Sequence, residues 1–334
     1  MLYSEKETVL SGIRSTGNLH LGNYYGALRN FVKMQESNRC FFFIADLHSL
    51  TTHPNAADFH GSVRQILAEY LAAGLDPQKC TLYVQSDVPE ISEMYVLLNM
   101  LAYVGELERT ASFKEKVRKH PQNVNAGLLT YPVLMATDIL IHRAHKVPVG
   151  KDQEQHLEIT RVYARRFNNM YGAKLFPEPD AYNFGGELIK IPGLDGSGKM
   201  GKSEGNGLFL TDDEATIRKK VKKAVTDTGE KSDAMSEPVK NLFTIMEVVS
   251  TPEVVRFYKE AYASGGIRYG DMKNQLADDI CSVTLPIRAR ILDILQDEAY
   301  LHSVRKNGAE KARESAAATL REMKRIMGFK AVEN

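Results

Sequence analysis

Apolar positions in the first half of the chain follow two rhythms in turn. Short unbroken apolar runs alternate with stretches in which apolar residues recur every three or four positions, which reads as strand and helix in alternation. Val9 to Ile13 is a short apolar run, followed by the turn Ser11 to Asn23 and the amphipathic stretch Tyr24 to Met34. Cys40 to Ala45 is a second run. Ala56 to Ala73 places Val63, Ile66, Leu67 and Leu71 on one helical face. Thr81 to Val84 is a third strand, Ile91 to Leu101 a helix, Lys146 to Val149 a fourth strand, and Gln153 to about Tyr171 a helix. This order predicts an α/β fold, a Rossmann-like doubly wound parallel sheet. Ligands bind such sheets beyond the carboxyl ends of the strands, where His20, His48, Gly150 and Asp152 fall.

After residue 207 the pattern turns helical. Thr211-Asp212-Asp213-Glu214 reads as a capped helix start. Further helices fit Val239 to Val249, Pro252 to Tyr262, Met272 to Leu295, with Pro286 expected to kink or divide it, and Tyr300 to Met327. The expected division is therefore 1–207 for the α/β domain and 208–334 for a smaller all-helical domain, whose last helix packs back on the first. Arg109 to His120 is basic without clear periodicity and reads as a mobile loop. Gly127 to His142 reads as a helix carrying Tyr131, Met135, Asp138 and His142 on one face, with Pro132 suited to its first turn.

Composition narrows the partners. A net charge of +1 over 334 residues means that any RNA contact rests on local basic patches such as Arg218 to Lys223. The three cysteines, Cys40, Cys80 and Cys281, are far apart and in no metal-binding spacing, so no protein-bound metal is expected. Reduced thiols, no signal-peptide core and no membrane-spanning run together predict a cytoplasmic protein without membrane contact.

Two stretches carry chemistry. In the first βα turn, Gly17 suits positive φ, and His20, Gly22 and Asn23 suit close approach of phosphate oxygens. An ordinary βα turn would read the same. Downstream, Lys199-Met200-Gly201-Lys202-Ser203 lies among glycines, so its two lysines are able to close over a polyphosphate; a solvated loop is the alternative. Asp138 sits among Leu134, Met135, Ile139 and Leu140, where a buried carboxylate needs a partner. A ligand N–H, Arg143 and solvent are all open to it. Asp152 suits ribose hydroxyls or a helix N-cap. Lys114 and Lys116 reach either phosphates or solvent.

The pairing of His-Leu-Gly-Asn with Lys-Met-Gly-Lys-Ser makes the chain resemble the class I aminoacyl-tRNA synthetases, whose two signatures are the HIGH-type and KMSKS-type sequences. Gly201 replaces the central serine but leaves both lysines and Ser203 in place. Within that class the chain looks like the tryptophanyl-tRNA synthetases. The features are Asn23 after the His-x-Gly element, Met200 in the lysine loop, Asp152-Gln153-Glu154-Gln155-His156, and the blocks Gly105 to Lys116 and Gly127 to Leu140.

The resemblance implies activation of L-tryptophan by Mg²⁺-ATP and transfer to tRNA(Trp) by a homodimer. It implies His20, Lys116, Lys199 and Lys202 as catalytic residues. ATP would be bound by Arg14, Ser15, His20, Gly22, Asn23, Gly150, Asp152, Lys199, Met200, Lys202 and Ser203. Asp138 would accept the indole N–H, Leu10, Met135, Val147 and Val149 would wall the ring, and Tyr131 and Gln153 would hold the ammonium, with His48 at the edge. Leu10 and Arg14 depart from a phenylalanine and a glutamine frequent in the family. Two other classes fit parts of the pattern: a nucleotidyltransferase that uses no tRNA, and a synthetase-like RNA-binding protein without catalysis.

Overall fold

The computed structural model describes residues 6–119, 121–150, 153–182, 190–202, 204–228 and 234–330. Five strands form one parallel sheet in the order β3-β2-β1-β4-β5. They are β1 (Thr8–Arg14), β2 (Arg39–Ala45), β3 (Thr81–Val84), β4 (Lys146–Val147) and β5 (Asp180–Ala181). Between β1 and β2 run α1 (Leu21–Asn23), a π-helical turn over Tyr24–Leu28, and α2 (Arg29–Met34). α3 (Asp46–Ser49) and α4 (Ala56–Ala72) lead to β3. α5 (Pro89–Asn99), α6 (Val104–Leu107), α7 (Ala111–Lys119) and α8 (Ala126–Ile141) lead to β4, and α9 (Glu154–Tyr171) to β5. Then come α10 (Glu214–Lys222), α11 (Glu237–Val249), α12 (Pro252–Ala263), α13 (Tyr269–Gln296) and α14 (Glu298–Ile326).

Strand alternation feeds a core on each face of the sheet. Phe41 and Phe43 of β2 join one, with α5, α8 and α9; Phe42 and Ile44 join the other, with α2 and α4. α14 serves both, giving Leu301 and Val304 to the second core and Ala312, Ala316 and Leu320 to the first. It therefore crosses the edge strand β3. Gly308 marks the crossing, where a Cβ would stand 1.6 Å from the carbonyl oxygen of Leu82. A third core unites α10 to α13 with Leu21, Tyr25 and Met200.

Four features differ from the sequence reading. Arg109 to His120 contains a helix, α7, that hydrophobic periodicity does not register, because its inward contact is polar: Ser112 bonds His156. Pro132 lies inside α8, whose start is set by Asn125, which accepts from the Leu128 N–H. α13 runs unbroken through Pro286, between buried Thr284 and Ile287. β5, two residues long and exposed, carries no apolar signal.

The strand order reverses between β1 and β4, and the two pair only at Val9 and Lys146. β1 continues to Arg14 while β4 stops at Val147, so the strands part and open a cleft at their carboxyl ends, the position expected for a ligand.

Candidate active site

That cleft is a cavity of about 880 Å³. Leu10 and Arg14 of β1 line it, with Val147, Val149 and Gly150 after β4. α8 contributes Tyr131, Met135 and Asp138, one face of a helix as the spacing predicts. His48, Lys116, Gln153 and Lys199 complete the expected residues that reach it. The parting of β1 and β4 thus brings together side chains from the first turn, from α8 and from the lysine loop.

Asp138 is 1 % exposed. Gln85, just past β3, donates its side-chain amide to both carboxylate oxygens at 2.9 Å, and His48 Nε2 lies 3.0 Å away. Arg143 instead pairs with Glu322 of α14. Burial pushes the Asp138 pKa up, while the bonds from His48 and Gln85 pull it down. Gln85 escaped the sequence reading, although its place at a strand's carboxyl end was the signal available. His142, expected on the same face, turns away to Tyr83 and Ser315.

Tyr131 bonds the His156 ring at 2.6 Å, and the Lys116 ammonium sits 3.8 Å from the centre of the Tyr131 ring. Lys116 rather than Lys114 is therefore the lysine of α7 that lines the cavity. Burial and then the Arg14 charge bring its pKa down to about 8. Arg14, Lys116 and Lys199 facing one cleft repel one another, an arrangement that an anion relieves.

The remaining expected residues among those described, Ser15, His20, Gly22, Asn23, Met200 and Lys202, do not line the cavity. Gly17 takes φ 64°, as the turn requires. The His20 Nδ1 accepts from the Asn23 N–H and Asn23 Oδ1 accepts from the His20 N–H, closing a capping box. A Cβ on Gly22 would meet the His20 ring at 2.8 Å, so this glycine makes room for the imidazole beside it. Burial, then Lys202 and Lys199, lower the His20 pKa to about 4, so the ring is neutral at physiological pH. Ser15 is occupied with the Ser49 hydroxyl, and Met200 is buried in the third core. Asp152 and Ser203 lie outside the described residues.

The two signature stretches touch. Lys202 Nζ donates to the carbonyl oxygens of Arg14 and Gly17 at 3.3 Å. Leu21 N–H donates to Leu208, and Leu210 N–H to Leu19, so the segment after the lysine loop pairs with the first turn.

A family model described as tRNA synthetases class I (W and Y) matches residues 3–283. The chain belongs to this family. It is 62 % identical over 326 residues to the tryptophan–tRNA ligase of Porphyromonas gingivalis, covering 97 % of this chain and 100 % of that one. With the tryptophan–tRNA ligase of Clostridium tetani it shares 41 % identity over 330 residues, 97 % and 96 % of the two chains. Among solved structures it resembles the tryptophanyl-tRNA synthetase of Campylobacter jejuni complexed with ADP and tryptophan. The TM-score is 0.85 at 33 % identity, covering 96 % of this chain and 100 % of that one. The α/β sheet and the helical C-terminal region of this synthetase are those of the family.

Proposed function

We infer that this synthetase is a tryptophan–tRNA ligase, and that the cleft between β1 and β4 holds both L-tryptophan and ATP. The observation that carries this reading is that one cavity offers both a buried carboxylate among apolar walls and a set of cations. Asp138 accepts the indole N–H in exchange for part of its bond to His48, and Leu10, Met135, Val147 and Val149 pack on the ring. Tyr131 and Gln153 hold the α-ammonium.

The tryptophan carboxylate attacks the α-phosphorus of ATP, forming the acyl–phosphate bond while the bond to pyrophosphate breaks. The amino acid is itself the nucleophile, so the protein's work is alignment and charge stabilisation. Lys199 and Lys116 face the charge that grows on the leaving pyrophosphate. Arg14 and Gly150 flank the nucleotide, Asp152 is assigned to its ribose, and Ser203 joins Lys202 and Met200 in the second loop. His20, neutral, donates or accepts without adding charge, with Ser15, Gly22 and Asn23 shaping its turn. Mg²⁺ would arrive on the triphosphate oxygens and neutralise part of their charge.

Tryptophan then passes from the adenylate to the terminal ribose of tRNA(Trp). We assign residues 1–207 to adenylate chemistry and 208–334 to the anticodon end. A second copy of the chain is read onto the exposed apolar side chains Val96, Met100, Tyr103 and Val104 at the end of α5 and the start of α6. We propose a cytoplasmic location, which a tRNA substrate supports; no helix of the described residues is long and apolar enough to cross a membrane. The deciding experiment is ATP–pyrophosphate exchange with each standard amino acid. Exchange with tryptophan alone is expected, and exchange driven by tyrosine, or by none, overturns the reading.

A further inference from the structure

α4 contributes no side chain to the cavity, yet it carries a carboxylate that reaches the first signature turn. Glu69 is fully buried. Its Oε2 accepts the Leu19 N–H at 2.9 Å and its Oε1 accepts from Gln65 Nε2 at 3.1 Å. Leu19 immediately precedes His20, and the Leu19 carbonyl oxygen accepts the Leu210 N–H at 2.9 Å. The backbone of one residue is thus gripped from α4 on one side and from the segment after the lysine loop on the other. The surroundings are apolar: Val63, Ile66 and Leu67 of the same helix belong to the second core. A leucine would satisfy that packing, and a carboxylate there costs desolvation unless it does something else.

The same turn carries Lys202 through the Arg14 and Gly17 carbonyls, with no ion pair between that ammonium and Glu69. The ammonium of Lys202, at the Arg14 and Gly17 carbonyls, attracts the Glu69 charge and is in turn favoured by it. We propose that Glu69 is a positioning residue for adenylate formation, holding the His20 turn and the Lys202 ammonium in the arrangement that the triphosphate requires. The proposal rests on the function inferred above. Burial raises the Glu69 pKa to about 7, against the pull of Gln65, Leu19 and Lys202, and burial lowers that of Lys202 to about 8. The other charged groups around the helix are Arg14 at the turn, Arg290 of α13, which donates to the Ala72 carbonyl, and Glu298, paired with Arg64, while His20 at the turn is neutral. Ionisation of Glu69 therefore falls within the working pH range and strengthens both its bond to Leu19 and its hold on Lys202.

The test compares wild type with Glu69→Gln, which keeps an acceptor for Leu19 without the charge, and Glu69→Leu, which keeps only the packing. Wild-type kcat for tryptophan-dependent exchange should rise as pH increases through about 7. Glu69→Gln should lose that rise and lower kcat at pH 8 roughly tenfold, the scale separating a charge-assisted from a neutral bond, with KM for tryptophan unchanged. Glu69→Leu should lose more. The melting temperature of Glu69→Gln at pH 8 should match or exceed the wild-type value, which separates positioning from support of the fold, whereas Glu69→Leu leaves the buried Leu19 N–H without an acceptor. Variants with wild-type kcat and an unaltered pH profile overturn the proposal while leaving the inferred function intact. A wild-type protein inactive in exchange overturns that function, and the role of Glu69 with it.

Discussion

Gln85 spans both oxygens of the Asp138 carboxylate, at 2.9 Å to each, across 53 residues of sequence. The amide fixes the carboxylate plane and leaves the His48 side of Asp138 toward the cavity. Asp138→Ala should therefore lower the ratio of kcat/KM for tryptophan over tyrosine by roughly 10-fold to 100-fold, the scale of a hydrogen bond to a charged group. Gln85→Leu should do the same more weakly, because the carboxylate survives but swings. An unchanged ratio in Asp138→Ala would assign this aspartate to the fold alone.

Lys199 lines the cavity, whereas Lys202 caps backbone carbonyls of the first turn. Both lysines should matter most in the transition state, where charge builds on pyrophosphate. Each alanine variant is expected to lower kcat by about 10²–10³, on the scale of a lost oxyanion donor. Tryptophan affinity measured without ATP should hardly move. If only the KM for ATP rises, the lysines bind ground state and transition state alike.

Gly308→Ala tests the crossing of α14 over β3. The added methyl would meet the Leu82 carbonyl oxygen at 1.6 Å, and backbone on both sides leaves no flexible atom to yield. Overpacking of a core costs on the order of 1–3 kcal/mol, and a clash with backbone belongs at or above the top of that range. Urea denaturation should show the loss. A variant as stable as wild type would mean that α14 does not lie against the edge strand.

Stability should also carry a pH signature from Glu69. Its folded pKa of about 7 stands above the ordinary 4.5, so the native state keeps a proton that the unfolded chain releases. The favourable contribution is complete below 4.5 and is lost as pH rises to 7, a change of about 3 kcal/mol if the whole shift is expressed. Unfolding free energies at pH 5 and pH 8 should differ by less in Glu69→Gln than in wild type. Equal differences would show that the carboxyl is not buried in the native state.

The basic run after residue 217 is partly spoken for. Arg218 pairs with Glu214 and Asp278, and Lys220 with Asp212, whereas Lys219 and Lys222 are exposed. Replacing Lys219 and Lys222 by alanine should reduce the slope of log tRNA affinity against log salt by about 2 if both meet phosphates. Exchange without tRNA should stay at the wild-type level. An unaltered slope would return the run to solvent.

The sequence alone determined the α/β order, the unbroken apolar run of β2, the face of α8 that carries Tyr131, Met135 and Asp138, and the two signature turns. These are properties of near neighbours: periodicity, turn chemistry and spacing are set within a few residues of each position. It left open whether Asp138 faced solvent, Arg143 or a ligand, and it passed over Gln85 and Glu69. It also read α7 as a loop, since that helix shows its neighbours serine and lysine rather than leucine. Only the tertiary structure decided those points. The contacts that settle them join residues 44 to 53 positions apart, and whether a carboxylate is buried against an amide or left in water depends on which elements fold over it. The meeting of Lys202 with Gly17, 185 residues earlier, is of the same kind: each motif is legible by itself, and their contact follows from the strand order and the return of the chain after β5.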